Sequence, residues 1–75
     1  RLYTLAAGEQ MVERNSSRII ARLLREGWEQ TGGKGSHRKF RHAESGRVLV
    51  VPHPKKDLPT GTARKIAKHA GWLEE

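Results

Sequence analysis

Histidine and clustered cations are the side chains of this sequence best suited to chemistry. The run from Lys34 to Phe40 is KGSHRKF, which sets His37 among basic residues. Imidazole is a natural general base because its unperturbed pKa of about 6.5 lies near neutrality. Beside fixed positive charge, such a base can take the proton of a ribose 2′-hydroxyl, so that this oxygen attacks the adjacent phosphorus. We therefore predict that His37 is the catalytic residue of a metal-independent ribonuclease.

The residues around His37 are suited to holding an RNA backbone. Glycine lets backbone amides approach a phosphate closely, and a serine hydroxyl donates one more hydrogen bond. We expect RNA contacts from Lys34, Gly35, Ser36, Lys39, Arg41, His53, Lys55 and Lys56. Taken alone, however, Gly-Ser-His is more typical of a turn followed by a solvated histidine.

The other three histidines are given different roles. His42, near a strand end, is expected to be a partly buried hydrogen-bonding residue. His53 lies in a loop fixed by prolines, where it could bind phosphate or act as a second acid. His69 comes late in a helix, where the dipole favours a cation, and a structural role is expected. The spacings of the four histidines match no zinc pattern, so we predict neither a metal nor a cofactor.

Composition narrows the class of partner. The 75 residues fit one domain, and 15 Lys and Arg against 8 Asp and Glu give a net charge of +7. This excess favours a nucleic-acid partner over a merely solvated surface. The absence of cysteine fits a reducing compartment, and no apolar run is long enough to span a bilayer. We therefore expect a cytoplasmic protein that binds RNA and no membrane.

A helix is predicted first along the chain. Asn15, Ser16 and Ser17 are N-cap candidates, and Gly27 is the expected end of the helix. Between them, apolar residues recur at spacings of three and four, at Ile19, Ile20, Leu23 and Leu24. This pattern indicates a helix that buries one stripe and presents a basic face to water.

Three strands and a second helix are predicted next. The strands are expected at Trp28–Thr31, His37–His42 and Arg47–Val51, with a hairpin loop at residues 44–46 and Pro52 ending the last strand. Thr60 or Thr62 is expected to cap a final helix that Gly71 closes. The fold class is therefore α+β, in the order α-β-β-β-α, with both helices on one face of a three-stranded antiparallel sheet.

Strand alternation predicts which side chains share the uncovered face of that sheet. If Phe40 points into the core, then His37, Lys39 and Arg41 point outward together. A bulge near Gly35 would change this parity.

The chain is expected to divide at its start. Residues 1–10 begin without methionine and carry no net charge, so we expect a non-native or disordered leader there, the alternative being a genuine leading strand or arm. Residues 11–75 are expected to form a single domain.

Three of these features together resemble a known family. An amphipathic helix ending in Gly27-Trp28, then Lys34-Gly35-Ser36-His37, then the block VVPHPKKDLPTGT over residues 50–62, resembles the HicA family of bacterial toxins. The likeness runs from about Ser16 to Gly71, and residues 1–10 have no counterpart in it.

The resemblance implies a fold like the double-stranded-RNA-binding domain and an endonuclease that cleaves mRNA. It also implies a cognate HicB antitoxin that covers the active site. The histidine of the family's Gly-Ser-His motif is regarded as catalytic, and it falls on His37.

Two other functions stay open at this point. One is a non-catalytic module of the same fold that binds double-stranded RNA by its shape and phosphates. The other is a DNA-binding regulator, which is weaker because neither predicted helix follows a tight turn as a recognition helix does.

Overall fold

A computed structural model describes residues 12–73 of the chain. The expected leader over residues 1–10 lies outside the described residues. The elements are α1 (Ser16–Arg25), β1 (Trp28–Lys34), β2 (His37–His42), β3 (Val48–Pro52) and α2 (Thr60–His69). This order confirms the predicted α+β arrangement. Neither helix in the described part is long and apolar enough to cross a membrane.

Each helix begins and ends at residues with a physical reason to do so. Asn15 caps α1, since its side chain accepts a hydrogen bond from the backbone amide of Arg18 at 3.2 Å. Gly27, with φ of +93°, follows the end of α1 in the left-handed region that glycine adopts at little cost. The prediction of a threonine cap on α2 was wrong: Pro59 occupies the cap position, and no side chain caps this helix. Proline suits the start of a helix because its fixed φ is already close to the helical value.

The three strands form an antiparallel sheet in the order β1-β2-β3, so both β1 and β3 are edge strands. A bulge shifts the β1–β2 register by one residue between Gln30 and Gly32. The bulge lies in β1, and β2 pairs with β3 without interruption. The alternation of side chains along β2 is therefore regular, as the predicted parity of Phe40 and His37 requires.

One apolar cluster joins the inner face of the sheet to both helices. Its buried members are Ile19, Leu23, Trp28, Phe40, Leu49, Val51, Leu58, Ala63 and Ile66. Phe40 has no exposed surface, and its neighbour across the sheet, Leu49, is buried with it. The helices therefore cover the face that carries Phe40, and no element within residues 12–73 covers the opposite face.

Three strand boundaries differ from those predicted, namely the end of β1 and both ends of β3. β1 continues through the two glycines to Lys34 instead of ending at Thr31, because β2 supplies partners for Gly33 and Lys34. Gly33 has φ of +143°, and a Cβ there would overlap the carbonyl oxygen of His37. Only glycine permits this approach, so residues that resemble a flexible linker are part of the sheet. β3 runs from Val48 to Pro52 instead of from Arg47 to Val51. Pro52 is tolerated because one side of an edge strand has no neighbouring strand that needs an amide donor.

Glu26 connects the end of α1 to the end of the described chain. Its carboxylate accepts a hydrogen bond from the indole Nε1 of Trp72 at 2.6 Å and pairs with Arg22 at 2.9 Å. The Arg22 guanidinium also stacks 4.1 Å from the Trp72 ring centroid. Partial burial raises the pKa of Glu26, but the hydrogen bonds from Trp72 and Arg22 and nearby positive charge outweigh it and lower the pKa below its ordinary value.

A lowered carboxyl pKa makes stability depend on pH. Glu26 stabilises the fold above its unfolded pKa, and this contribution is lost as the pH falls through the folded pKa. We expect Glu26→Gln to lower the free energy of unfolding at neutral pH by about 0.5 to 1 kcal/mol, allowing for solvent screening of a partly exposed group. Urea denaturation of both proteins at neutral pH and at acid pH checks this. A gap of constant size at all pH values would contradict it.

Candidate active site

The turn between β1 and β2 fixes the position of His37. Only Gly35 and Ser36 separate the two strands, and Gly35 has φ of +60° while Ser36 does not have a positive φ. This geometry fits a type II′ hairpin, whose first central position favours glycine. His37 is consequently the first residue of β2, at the end of the sheet.

Cross-strand pairing surrounds His37 on the uncovered face. Its partners are Lys34 on β1 and Pro52 on β3. Directly paired residues of an antiparallel sheet project from the same face, with Cβ atoms about 5 Å apart. The Lys34 ammonium is therefore carried on the same side as the exposed His37 imidazole.

Lys39 and Arg41 project from the same face as His37, as the parity of β2 predicts. Both are exposed. Lys39 pairs with Val50, and Arg41 lies between Val48 and Glu29. We call the outward side chains of this sheet face the open face: Glu29, Lys34, His37, Lys39, Arg41, Val48, Val50 and Pro52. It combines one imidazole, three cations, one carboxylate and an apolar strip.

The ring of His53 is hydrogen-bonded within the fold instead of belonging to the open face. Its Nδ1 lies 2.7 Å from the hydroxyl of Ser16, which is only 1% exposed and also accepts the amide of Lys55 at 2.8 Å. The His53 amide donates to the carbonyl of Ser36 at 2.6 Å. Its backbone thus supports the Gly-Ser-His turn, while its ring anchors the loop after β3 to the start of α1. Its predicted contact with RNA stays a prediction.

Lys55 and Lys56 lie in the loop between β3 and α2. With Asn15 and Ser17 they line a depression of about 370 Å³ at the start of α1, to which His37 does not contribute. The structure therefore groups six of the predicted site residues on or beside the open face, namely Lys34, Gly35, Ser36, His37, Lys39 and Arg41. The two lysines line a depression to which none of these six contributes.

His42 has the structural role that the sequence indicated. Its Nε2 donates to the carbonyl of Glu26 at 3.1 Å, and its Nδ1 accepts the amides of Glu44 and Ser45 at 3.3 and 3.2 Å. Both ring nitrogens are thus used in joining the β2–β3 turn to the end of α1. The ring also packs edge-on against Trp28, with centroids 5.2 Å apart.

A cavity beside His37 includes residues that sequence reasoning missed. It has a volume of about 450 Å³ and lies between the outer edge of β3 and α2. Its lining joins His37 to α2 residues, namely Thr62, Lys65, Ile66 and His69. The helical spacing of these four positions was the available signal, but only the packing of α2 against β3 shows that they lie near His37.

Metal-binding groups are not assembled near this site. Among residues 12–73, no cluster of three or more histidine or carboxylate side chains is placed to hold a metal ion.

The family model described as HicA toxin of bacterial toxin-antitoxin matches residues 16–72. The match runs from the first residue of α1 past the end of α2, so it includes the whole open face. No curated protein gives a significant match to the chain.

Proposed function

Since this chain belongs to the HicA toxins of bacterial toxin–antitoxin systems, we propose that it is an endoribonuclease that cleaves mRNA in the cytoplasm. The observation that carries this proposal is the exposed His37 imidazole beside Lys34, with Lys39 and Arg41 on the same open face. A base and several fixed cations on one accessible surface are what cleavage by the ribose 2′-hydroxyl requires.

The proposed reaction uses groups that the RNA and the open face supply. His37 takes the proton of the 2′-hydroxyl, or orients this group, while the 2′-oxygen forms a bond to the adjacent phosphorus. The bond from phosphorus to the 5′-oxygen breaks, which gives a 2′,3′-cyclic phosphate and a 5′-hydroxyl once that oxygen gains a proton. Lys34, Lys39 and Arg41 stabilise the negative charge that develops on the phosphoryl oxygens.

The same face is the proposed binding surface of a HicB-type antitoxin. Its three cations outnumber its one carboxylate, Glu29, and favour an acidic partner. Val48 and Val50, which are 46% and 44% exposed, give that partner apolar surface to bury. An antitoxin bound there would cover His37 and exclude RNA.

The experiment that tests this function uses matched single-stranded oligonucleotides. We expect the protein to cleave an all-ribose strand, with 2′,3′-cyclic phosphate ends, and not to cleave a strand in which every ribose is 2′-deoxy. An excess of EDTA should leave the rate unchanged, since the nucleophile comes from the RNA. Binding of double-stranded RNA without cleavage would instead support the non-catalytic module, and cleavage of the 2′-deoxy strand would contradict the proposed reaction.

A further inference from the structure

The cavity next to His37 is large enough to hold a small ligand. Its volume of about 450 Å³ falls within the range of roughly 300 to 1,000 Å³ that is usual for small-molecule sites. His37 lines the cavity and also belongs to the open face. A ligand in the cavity would therefore lie next to the RNA atoms that His37 is proposed to contact.

The two walls of the cavity differ in chemistry. The β3 wall is apolar and is formed by Val48, Val50 and Pro52. The α2 wall carries Thr62, Lys65 and His69, which recur at i, i+3 and i+7 and so share one side of the helix. Such a lining, at the edge of β3, suits a ligand with an apolar face and polar edges.

Four side chains that line the cavity are exposed and contribute little to the packing of the core: Val48, Val50, Lys65 and His69. Val48 and Val50 leave nearly half of their surface in water, although this small chain has few large apolar residues to bury. Within residues 12–73, the side chains of Lys65 and His69 have no hydrogen-bond or salt-bridge partner. Their polar groups are therefore available to a ligand.

We propose that this cavity binds one unpaired nucleobase of the RNA, that of a nucleotide adjoining the scissile phosphate. The base lies against Val50 and Pro52, the Thr62 hydroxyl and His69 imidazole meet its polar edge, and Lys65 contacts the neighbouring phosphate. Base edges of single strands are accessible in this way, whereas those of a duplex are occupied by pairing. The placement next to the scissile bond rests on the proposed function of His37.

The test measures binding, so that it does not depend on cleavage. A mixed-sequence octanucleotide with 2′-O-methyl riboses, which lack the nucleophile, is compared by fluorescence anisotropy with eight versions that each lack one base. We expect one position at which loss of the base weakens binding to the wild-type protein by about tenfold, which corresponds to about 1.4 kcal/mol.

Variants of the α2 wall connect that loss to the cavity. In Thr62→Val/His69→Ala, we expect removal of the base at that position to weaken binding by no more than about threefold. Arg25→Ala, which removes an exposed cation from α1 on another surface, should keep the full tenfold penalty. Thermal unfolding of each variant shows whether the fold is intact.

The outcomes separate this proposal from the proposed function. Two results would overturn the base-binding cavity: the same penalty in the double variant as in Arg25→Ala, or the absence of a sensitive position in the wild type. In either case the cavity would instead be free to bind a side chain of a protein partner. If the penalty follows the cavity variants but unmodified RNA is not cleaved, the base site stands and the ribonuclease assignment fails.

Discussion

His37→Ala is expected to slow cleavage of single-stranded RNA by about 10²- to 10⁴-fold, the range over which general acid–base groups contribute. His37 is exposed at the end of β2 and makes no part of the core, so its replacement should change the free energy of unfolding by less than about 0.5 kcal/mol. Single-turnover cleavage and thermal unfolding of the same preparations check both halves of this prediction.

A control variant shows whether the slower cleavage is specific to loss of the His37 imidazole or follows removal of any basic side chain. Arg25→Ala removes a cation from α1 and should cleave RNA at close to the wild-type rate when RNA is saturating. Undiminished cleavage by His37→Ala would remove His37 from the mechanism. If His37 is the base, the rise of the wild-type rate with pH should be absent in His37→Ala, whereas a purely orienting group would leave the shape of the profile unchanged.

Leu23→Ala is expected to lower the free energy of unfolding by about 2 to 5 kcal/mol. The Leu23 side chain has no exposed surface and lies in the single core cluster with Ile19 and Phe40. Truncation removes its apolar contacts and leaves a cavity that the close-packed neighbours fill only in part. Because a domain of this size has a small total stability, a large share of the variant should be unfolded at 37 °C. Urea denaturation checks the value.

Leu24→Ala makes the same chemical change at the next position of α1. Leu24 is 55% exposed, and alanine is at least as good a helix former as leucine. We therefore expect a change of less than about 0.5 kcal/mol. Similar losses for the two variants would mean that α1 is rotated about its axis, so that Leu24 is buried as Leu23 is.

The region around His37 could be predicted from sequence because its determinants are local. Phe40 is the only phenylalanine of the chain, and a strand of alternating residues has only two faces. Once Phe40 is assigned to the core, the side of His37, Lys39 and Arg41 follows. The structure confirms the bounds of β2 and the exposure of these three residues.

The parts that sequence reasoning missed depend on contacts between distant residues. Gly32 and Gly33 are typical of a loop, and only their pairing with β2 makes them a strand. Ser16 was expected to be an N-cap candidate, but its hydroxyl is buried against His53, 37 positions away. The cavity wall on α2 likewise follows from how the helix packs against the edge of β3, which helical spacing alone does not determine.

The bulge in β1 has a consequence for the charge of the open face. Ahead of it, Trp28 and Gln30 share the inner parity, and an uninterrupted strand would give Lys34 that parity too. The extra residue between Gln30 and Gly32 reverses the alternation and turns Lys34 outward, opposite His37. Deleting one codon at Thr31 would remove this extra residue and leave a regular ladder in which Lys34 still pairs with His37, so we expect the deletion to straighten β1 without taking the cation off the open face.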